Sequence, residues 1–361
     1  MEAPEGGAGP INVADYERLA SEVLDPGAHG YFAGGAGDER TLRENVAAFA
    51  RWRLRPRVLV DVAEVDTRTT VLGEPVAMPI LVAPVAFQRL AHPDGEAGMA
   101  RAAAGAGTVM CVSTLATARP GEVAAAAPDA RLWFQLYCFR DRGVTRALLS
   151  EAVQAGFRAV ALTVDAPRPG RRERDLRSGF QLPAEVGVPS IAEATGAQGP
   201  LSVADVLGLV DPALSWADLE ALVSDSSLPV LVKGVMTAED AVLAADRGAA
   251  GVIVSNHGGR QLDGVAATID AVGEVAEAVG DRVEVLMDGG VRRGTDVVTA
   301  LALGARAVLV GRPALWGLAV AGTDGARRVL GLLRDELELA LALCGCPAPE
   351  SVSRAHVQRS C

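Results

Sequence analysis

The decapeptide SNHGGRQLDG, Ser255 to Gly264, sets an asparagine, a histidine, an arginine, a glutamine and an aspartate among glycines, directly after the apolar run GVIV. The chain holds only four histidines, and His257 stands here. An imidazole accepts a proton near neutral pH when a carboxylate fixes its other nitrogen and steadies the imidazolium. Asp165, which closes the run AVALTVD, is the candidate for that carboxylate. Arg260, three residues after His257, and Arg172, seven after Asp165, carry the planar fork that grips a carboxylate through paired hydrogen bonds.

Lys233 is the sole lysine among 34 basic residues. A compact ammonium suits a narrow buried site where a guanidinium does not fit, which makes this position a candidate for chemistry rather than solubility. The segments MDGGVRRG and LVGRP put Asp288, Gly289, Gly290 and Arg292, then Gly311 and Arg312, at the ends of two further apolar runs. Glycine exposes backbone N–H groups to an anion and a helix start adds its positive end, so the pattern predicts a phosphate site. Ser113, Gln135, Tyr137, Thr163 and Ser255 close other runs. Any one of these could merely terminate a strand, but so many together point to a shared site. A base, its orienting carboxylate, two guanidiniums and a phosphate site describe proton abstraction from a small carboxylic acid beside a phosphate-bearing cofactor.

The elements that must position these groups are eight short apolar runs: PILVAP (79–84), TVMCVST (108–114), LWFQLY (132–137), AVALTVD (159–165), PVLVKG (229–234), GVIVSN (251–256), VEVLMDGG (283–290) and AVLVGR (307–312). Ala-rich stretches of helical length lie between them, several ending in glycine. Eight strand–helix alternations predict a closed α/β barrel, a (β/α)8 TIM barrel, whose strand C-termini carry the site. An open doubly wound sheet is the alternative, but no GxGxxG follows the first run. A single domain is expected over 11–361, after a disordered leader over 1–10. Residues 11–78, helical near VADYERLASEVL, are expected to cap one end of the barrel. The polar, Pro/Gly-bearing stretch 181–212 is expected to be a mobile lid loop over the site.

Half the residues are hydrophobic and the net charge is −11. A negative chain is a poor partner for nucleic acid or anionic lipid, and no apolar stretch reaches the ~20 residues a membrane helix needs. Five cysteines without a repeated CxxC indicate neither a disulfide framework nor a zinc site. A cytoplasmic protein without bound metal is expected.

SNHGGRQLDG, with YFAGGAGDERTLREN, LRPRVL, AHPDGE, WFQLY, LTVDAPRPGRRERD, LVKGVMTAEDA, DGGVRRGTDV and VGRP, resembles the FMN-dependent (S)-2-hydroxy acid oxidases and dehydrogenases over residues 11 to 358. The resemblance implies FMN as cofactor and oxidation of a small 2-hydroxy acid to the 2-oxo acid. It implies His257 as base, Asp165 as its partner, Arg260 and Arg172 as the carboxylate clamp, and Tyr31 and Tyr137 as substrate contacts. Pro84, Val85, Ala86, Ser113, Gln135, Thr163, Lys233, Ser255, Asp288, Gly289, Gly290, Arg292, Gly311 and Arg312 match FMN contacts. Two positions depart from the pattern: Val85 stands where many members have Thr, and Leu115 where glycolate oxidases have Trp. The smaller Leu115 implies a wider pocket, favouring mandelate-like or medium aliphatic acids over glycolate, and the look is closest to the hydroxymandelate oxidase branch. Ala86, where some dehydrogenases have Gly, together with a lid lacking an apolar membrane-docking stretch, favours O2 as acceptor, the alternative being a dehydrogenase that passes electrons to a quinone or carrier protein. The resemblance further implies a homo-oligomer, a tetramer.

Overall fold

The computed structural model describes residues 9–197, 199 and 201–360, so most of the expected leader lies outside the described residues. All eight apolar runs form strands: β1 (Ile80–Val82), β2 (Val109–Ser113), β3 (Arg131–Leu136), β4 (Ala159–Thr163), β5 (Val230–Val235), β6 (Gly251–Val254), β7 (Glu284–Asp288) and β8 (Ala307–Val310). They pair in parallel in chain order, and β8 closes on β1 through Val308 with Ile80, Leu309 with Leu81 and Val310 with Val82. Both strand faces are buried, which is why the runs read as continuous Val, Leu, Ile and Ala without polar alternation.

Parity then assigns each side chain to the lumen or to the helical layer. Leu81, Val109, Cys111, Trp133, Ala159, Ala161, Leu231, Ile253, Leu286, Ala307 and Leu309 pack into one buried cluster inside the barrel. The bulk of Trp133 is accommodated by the small Ala159, Ala161 and Ala307. Two residues further along their strands, the same parity carries Ser113, Gln135, Thr163, Lys233, Ser255 and Asp288 inward at the C-terminal rim. The six polar residues therefore form the next layer above an apolar plug.

The N-terminal segment does more than cap one end. Its helices Pro26–Ala33 and Arg40–Ala47 lie at the C-terminal rim, where Asn45 and Asn256 exchange amide hydrogen bonds of 2.8 Å. Its hairpin, Thr69–Val71 paired with Glu74–Val76, closes the opposite end, with Val71 and Val76 buried against the lumen cluster. The segment therefore contributes to both ends of the barrel, where one was expected, because its hairpin buries Val71 and Val76 against the lumen cluster while its helices meet the rim. The stretch 181–212 is likewise not a plain loop, for it contains the helices Pro189–Thr195 and Val203–Leu209. Ser202 caps the second by accepting from the Asp205 N–H, while the Asp205 carboxylate accepts from the Ser202 N–H. Ile191 and Val206 are fully buried. Among the described residues no helix is long and apolar enough to cross a membrane.

Candidate active site

Lys233 sits in the rim layer with its side chain only 5% exposed, donating to Ser255 Oγ at 2.8 Å and lying 2.7 Å from Asp288 Oδ2. Burial alone would lower this ammonium, but the Asp288 and Asp165 carboxylates outweigh it and hold it above its ordinary value. The chain bulges just after it: Lys233 pairs with Ile253, while Val235 pairs with Val254. Gly234 makes the bulge possible with φ 112°, and a Cβ there would stand 2.6 Å from Asp165 Cβ. Asp165 thereby lies directly over the end of β5.

Asp165 Oδ1 contacts His257 Nδ1 at 2.8 Å. Burial works against the Asp165 carboxylate, yet the His257 ring, their hydrogen bond and the Lys233 ammonium together hold the carboxyl below its ordinary value. His257 occupies left-handed backbone at φ 58°, followed by Gly258 at φ 63° and Gly259 at φ 75°. A side-chain-bearing residue is rarely found there, and its neighbours fix it. The His257 N–H donates to Ser255 Oγ at 3.1 Å, and Asn256 Oδ1 accepts from the Gly259 N–H at 3.2 Å.

The guanidiniums converge on one tyrosine. Arg260 Cζ lies 4.9 Å and Arg172 Cζ 5.7 Å from the Tyr31 ring centroid. Arg260 Nη1 donates to the carbonyls of Tyr31 at 2.6 Å and Gly34 at 3.0 Å. Burial and then the neighbouring Arg172 pull the Arg260 guanidinium down to about 10. It remains a cation at neutral pH, and the direction records positive charge that an anion would neutralise. Burial raises the Tyr137 hydroxyl, with Asp165 acting in the same sense, so it stays protonated and able to donate.

Among the predicted phosphate residues, Arg312 holds a surprise. Its Nε, Nη1 and Nη2 donate to the carbonyls of Phe32 at 2.9 Å, Gly258 at 3.1 Å and Gly34 at 2.9 Å. Burial, with Arg260 and Arg292 nearby, pulls it down to about 9. Much of its donor capacity thus ties the Tyr31 helix to the His257 turn. The Arg292 guanidinium donates to the Val291 carbonyl at 3.0 Å and is 3.8 Å from Glu17, while its backbone N–H donates to the Asp296 carboxylate at 2.8 Å. Gly289 and Gly290 adopt φ 95° and 82°, with Gly290 so close to the Asn45 carbonyl that no side chain fits.

One cavity is lined by Tyr31, Pro84, Val85, Ala86, Ser113, Leu115, Gln135, Tyr137, Thr163, Arg172, Lys233, His257, Arg260, Asp288, Gly289, Gly290, Arg292, Gly311 and Arg312. Of the sequence-predicted residues, Asp165 and Ser255 stand just behind the lining, each hydrogen-bonded to a residue in it. Sequence reasoning missed Val203 and Leu207, which reach the cavity from the helix Val203–Leu209, and Phe180, which stacks on Tyr31 at 5.3 Å. The i, i+4 spacing of Val203 and Leu207 behind the Ser202–Asp205 box was the available signal.

A family model described as FMN-dependent dehydrogenase matches residues 20–359. The chain is 51% identical over 354 residues to glycolate oxidase 3 of Arabidopsis thaliana, covering 96% of this chain and 95% of that protein. It is 50% identical over 359 residues to an L-lactate oxidase of a Nostoc species, covering 96% and 98%. A crystal structure of mandelate oxidase with (S)-4-hydroxymandelic acid is similar at a TM-score of 0.91 and 43% identity, over 97% of this chain and 99% of that one. The rim layer fits the cofactor this family takes. Gln135 commits Oε1 to the Thr114 N–H at 3.1 Å, leaving buried Nε2 without a protein partner, and Thr163 Oγ1 and Asp288 Oδ1 are unpartnered too. A flavin ring edge alternates acceptors with an N–H donor, the complement of such a set. With a layer of unspent donors and acceptors at one side of the cavity and glycine-exposed backbone beside Arg292 at the other, the chain belongs to the FMN-dependent dehydrogenase family and is an FMN enzyme that oxidises 2-hydroxy acids.

Proposed function

We propose that the protein oxidises an (S)-2-hydroxy acid to the 2-oxo acid, prefers mandelate-like or medium aliphatic acids to glycolate, and is reoxidised by O2 with formation of H2O2. The observation that carries the reaction is the 2.8 Å contact of His257 Nδ1 with Asp165 Oδ1, behind a cavity lined by His257, Arg172 and Arg260. Asp165 keeps the proton on Nδ1, so Nε2 is free to take the substrate's hydroxyl proton, and the resulting imidazolium is stabilised by the carboxylate. Arg260 and Arg172 hold the substrate carboxylate, and the protonated Tyr137 hydroxyl donates to the substrate. Bound FMN supplies the two-electron acceptor. Lys233, fixed by Ser255 and Asp288, presents a preorganised cation to the negative charge that develops in the cavity.

Substrate size follows from the apolar wall. Leu115 is buried in the lining, and Val203 and Leu207 complete an aliphatic surface that glycolate cannot fill. Each buried CH2 contributes ~0.8 kcal/mol, about fourfold in kcat/KM. The segment 181–212 acts as the lid that admits substrate, through the helix that carries Val203 and Leu207. Ala86 in the cavity lining supports O2 as acceptor. A homo-oligomer, a tetramer in line with the family likeness, is supported by three consecutive exposed aliphatic residues, Val58, Leu59 and Val60.

The test is a panel of glycolate, lactate, 2-hydroxyoctanoate and (S)-mandelate mixed anaerobically with the yellow holoenzyme, followed by readmission of air. Bleaching by the larger acids and prompt return of colour with H2O2 are expected. Bleaching that persists in air but reverses with a quinone would transfer the protein to the dehydrogenases; no bleaching by any acid would end the reading.

A further inference from the structure

The loop that leaves β4 carries both Asp165 and Arg172, yet residues 164–172 form no helix or strand, and Pro167, Arg168, Pro169 and Arg171 are exposed. Something must hold its two functional ends at their stations. A single side chain spans it. Gln261 Oε1 accepts from the Gly170 N–H at 2.8 Å, while Nε2 donates to the Arg168 carbonyl at 3.0 Å and the Asp165 carbonyl at 3.2 Å. Both ends of the amide are thus engaged on backbone groups of residues 165–170. Apart from these, the backbone ties between this loop and the rest of the rim are few: the Val164 N–H to the Lys233 carbonyl and the Gly37 N–H to the Arg171 carbonyl, each at 2.9 Å.

A second observation shows how tightly the loop is drawn in. A Cβ on Gly170 would stand 2.3 Å from the Arg260 carbonyl oxygen and 2.7 Å from Gln261 Cα, so the backbones of the two segments touch, and only glycine permits it. The segment that meets the loop is the one that carries His257 and Arg260.

We infer that Gln261 is a positioning residue: by clamping 165–170 to the His257–Arg260 turn, its amide fixes Asp165 against His257 and Arg172 beside Arg260, registering base and carboxylate clamp together. The inference rests on the roles given above to Asp165 and Arg172. Gln261 is not among the residues that line the cavity. The amide is what the place requires, since a carboxylate there would accept from Gly170 but has no N–H for the two carbonyls.

The consequence is a coupling, and coupling is measured by double-mutant cycles. On holoenzyme, the affinity of the 2-oxo acid product for oxidised flavin enzyme reads the Arg172 arm, and the anaerobic rate of flavin reduction at saturating substrate reads the Asp165 arm. Gln261→Leu is expected to weaken product binding about tenfold and to slow reduction at least tenfold while retaining bound FMN. In an Arg172→Met background the binding loss should shrink to less than twofold, and in an Asp165→Asn background the reduction loss should do the same. Gln261→Glu, which keeps the Gly170 bond, should lose nearly as much in both readouts. Unchanged readouts in Gln261→Leu, losses that add fully to those of Arg172→Met and Asp165→Asn, or loss of FMN from Gln261→Leu would each overturn the inference. If Arg172→Met and Asp165→Asn themselves change nothing, the site reading falls first and takes this one with it.

Discussion

His257 combines an unusual backbone, φ 58°, with a side chain locked by Asp165 at 2.8 Å. Its replacement by alanine removes the proton acceptor without touching Lys233, Gln135 or Thr163, so His257→Ala should stay yellow and lose about 10²–10⁴-fold in turnover. Stopped-flow reduction and the flavin absorbance of the same sample check both halves. Lys233→Met is the contrasting case. It leaves Asp288 buried opposite an apolar side chain, so FMN retention should fall together with turnover, and titration of apoprotein with FMN measures the loss. Leu115→Trp is the test of pocket size. An indole in place of the isobutyl group fills the apolar wall, and kcat/KM should move toward glycolate by at least tenfold relative to (S)-mandelate, reversing an initial preference for the larger acid. A wild-type preference for glycolate would show that Leu115 does not set pocket size.

At the scale of elements, the loops after β1 and β2 are held by one buried carboxylate. Glu96, fully buried on the helix Gly95–Gly105, accepts from the Gln88 N–H at 3.1 Å, from the Thr117 N–H at 2.9 Å and from the Thr117 hydroxyl. These loops carry Val85, Ala86 and Leu115, and they also meet directly, the Phe87 N–H donating to the Leu115 carbonyl at 3.0 Å. Glu96→Ala strands buried donors, and a destabilisation of about 2–4 kcal/mol is expected from urea unfolding of the holoprotein. The motif AHPDGE was visible in the sequence, but nothing local says that its glutamate turns inward. The segment 181–212 shows the same limit. Its polar, Pro/Gly-bearing composition predicts a loop, whereas burial of Ile191 and Val206 stabilises two short helices that propensity alone would not.

At the scale of the whole molecule, Val58, Leu59 and Val60 are three consecutive exposed aliphatic residues. Leu59 is fully exposed and adopts φ 59°. The segment is anchored on both sides, by the Arg57 N–H on the Cys344 carbonyl at 3.1 Å and the Asp66 N–H on the Pro347 carbonyl at 2.9 Å. Three aliphatic side chains held out in this way predict burial against another copy. Light scattering should give a mass well above that of one chain, and Leu59→Asp should reduce it with FMN still bound. A monomeric wild type would remove the oligomer from the account.

The barrel was legible because parallel strands buried on both faces leave apolar runs that need no knowledge of their partners, and all eight runs became its strands. The residue types of the site were legible for a related reason: a strand's C-terminal rim is where such runs must meet water, so Gln135, Thr163, Lys233 and Asp288 interrupt them visibly. What the sequence could not determine is where donors are spent. Arg312 reads as a phosphate ligand, yet its guanidinium grips the carbonyls of Phe32, Gly34 and Gly258, which come from segments some 280 and 54 positions away. Gln261 reads as a polar residue of a glycine-rich turn, yet it spans a loop more than ninety positions earlier. Hydrogen-bond partners distant in the chain exist only once the barrel closes and brings its loops onto one rim, so composition and spacing identify the chemical groups, and tertiary structure alone decides which of them face substrate and which hold the others in place.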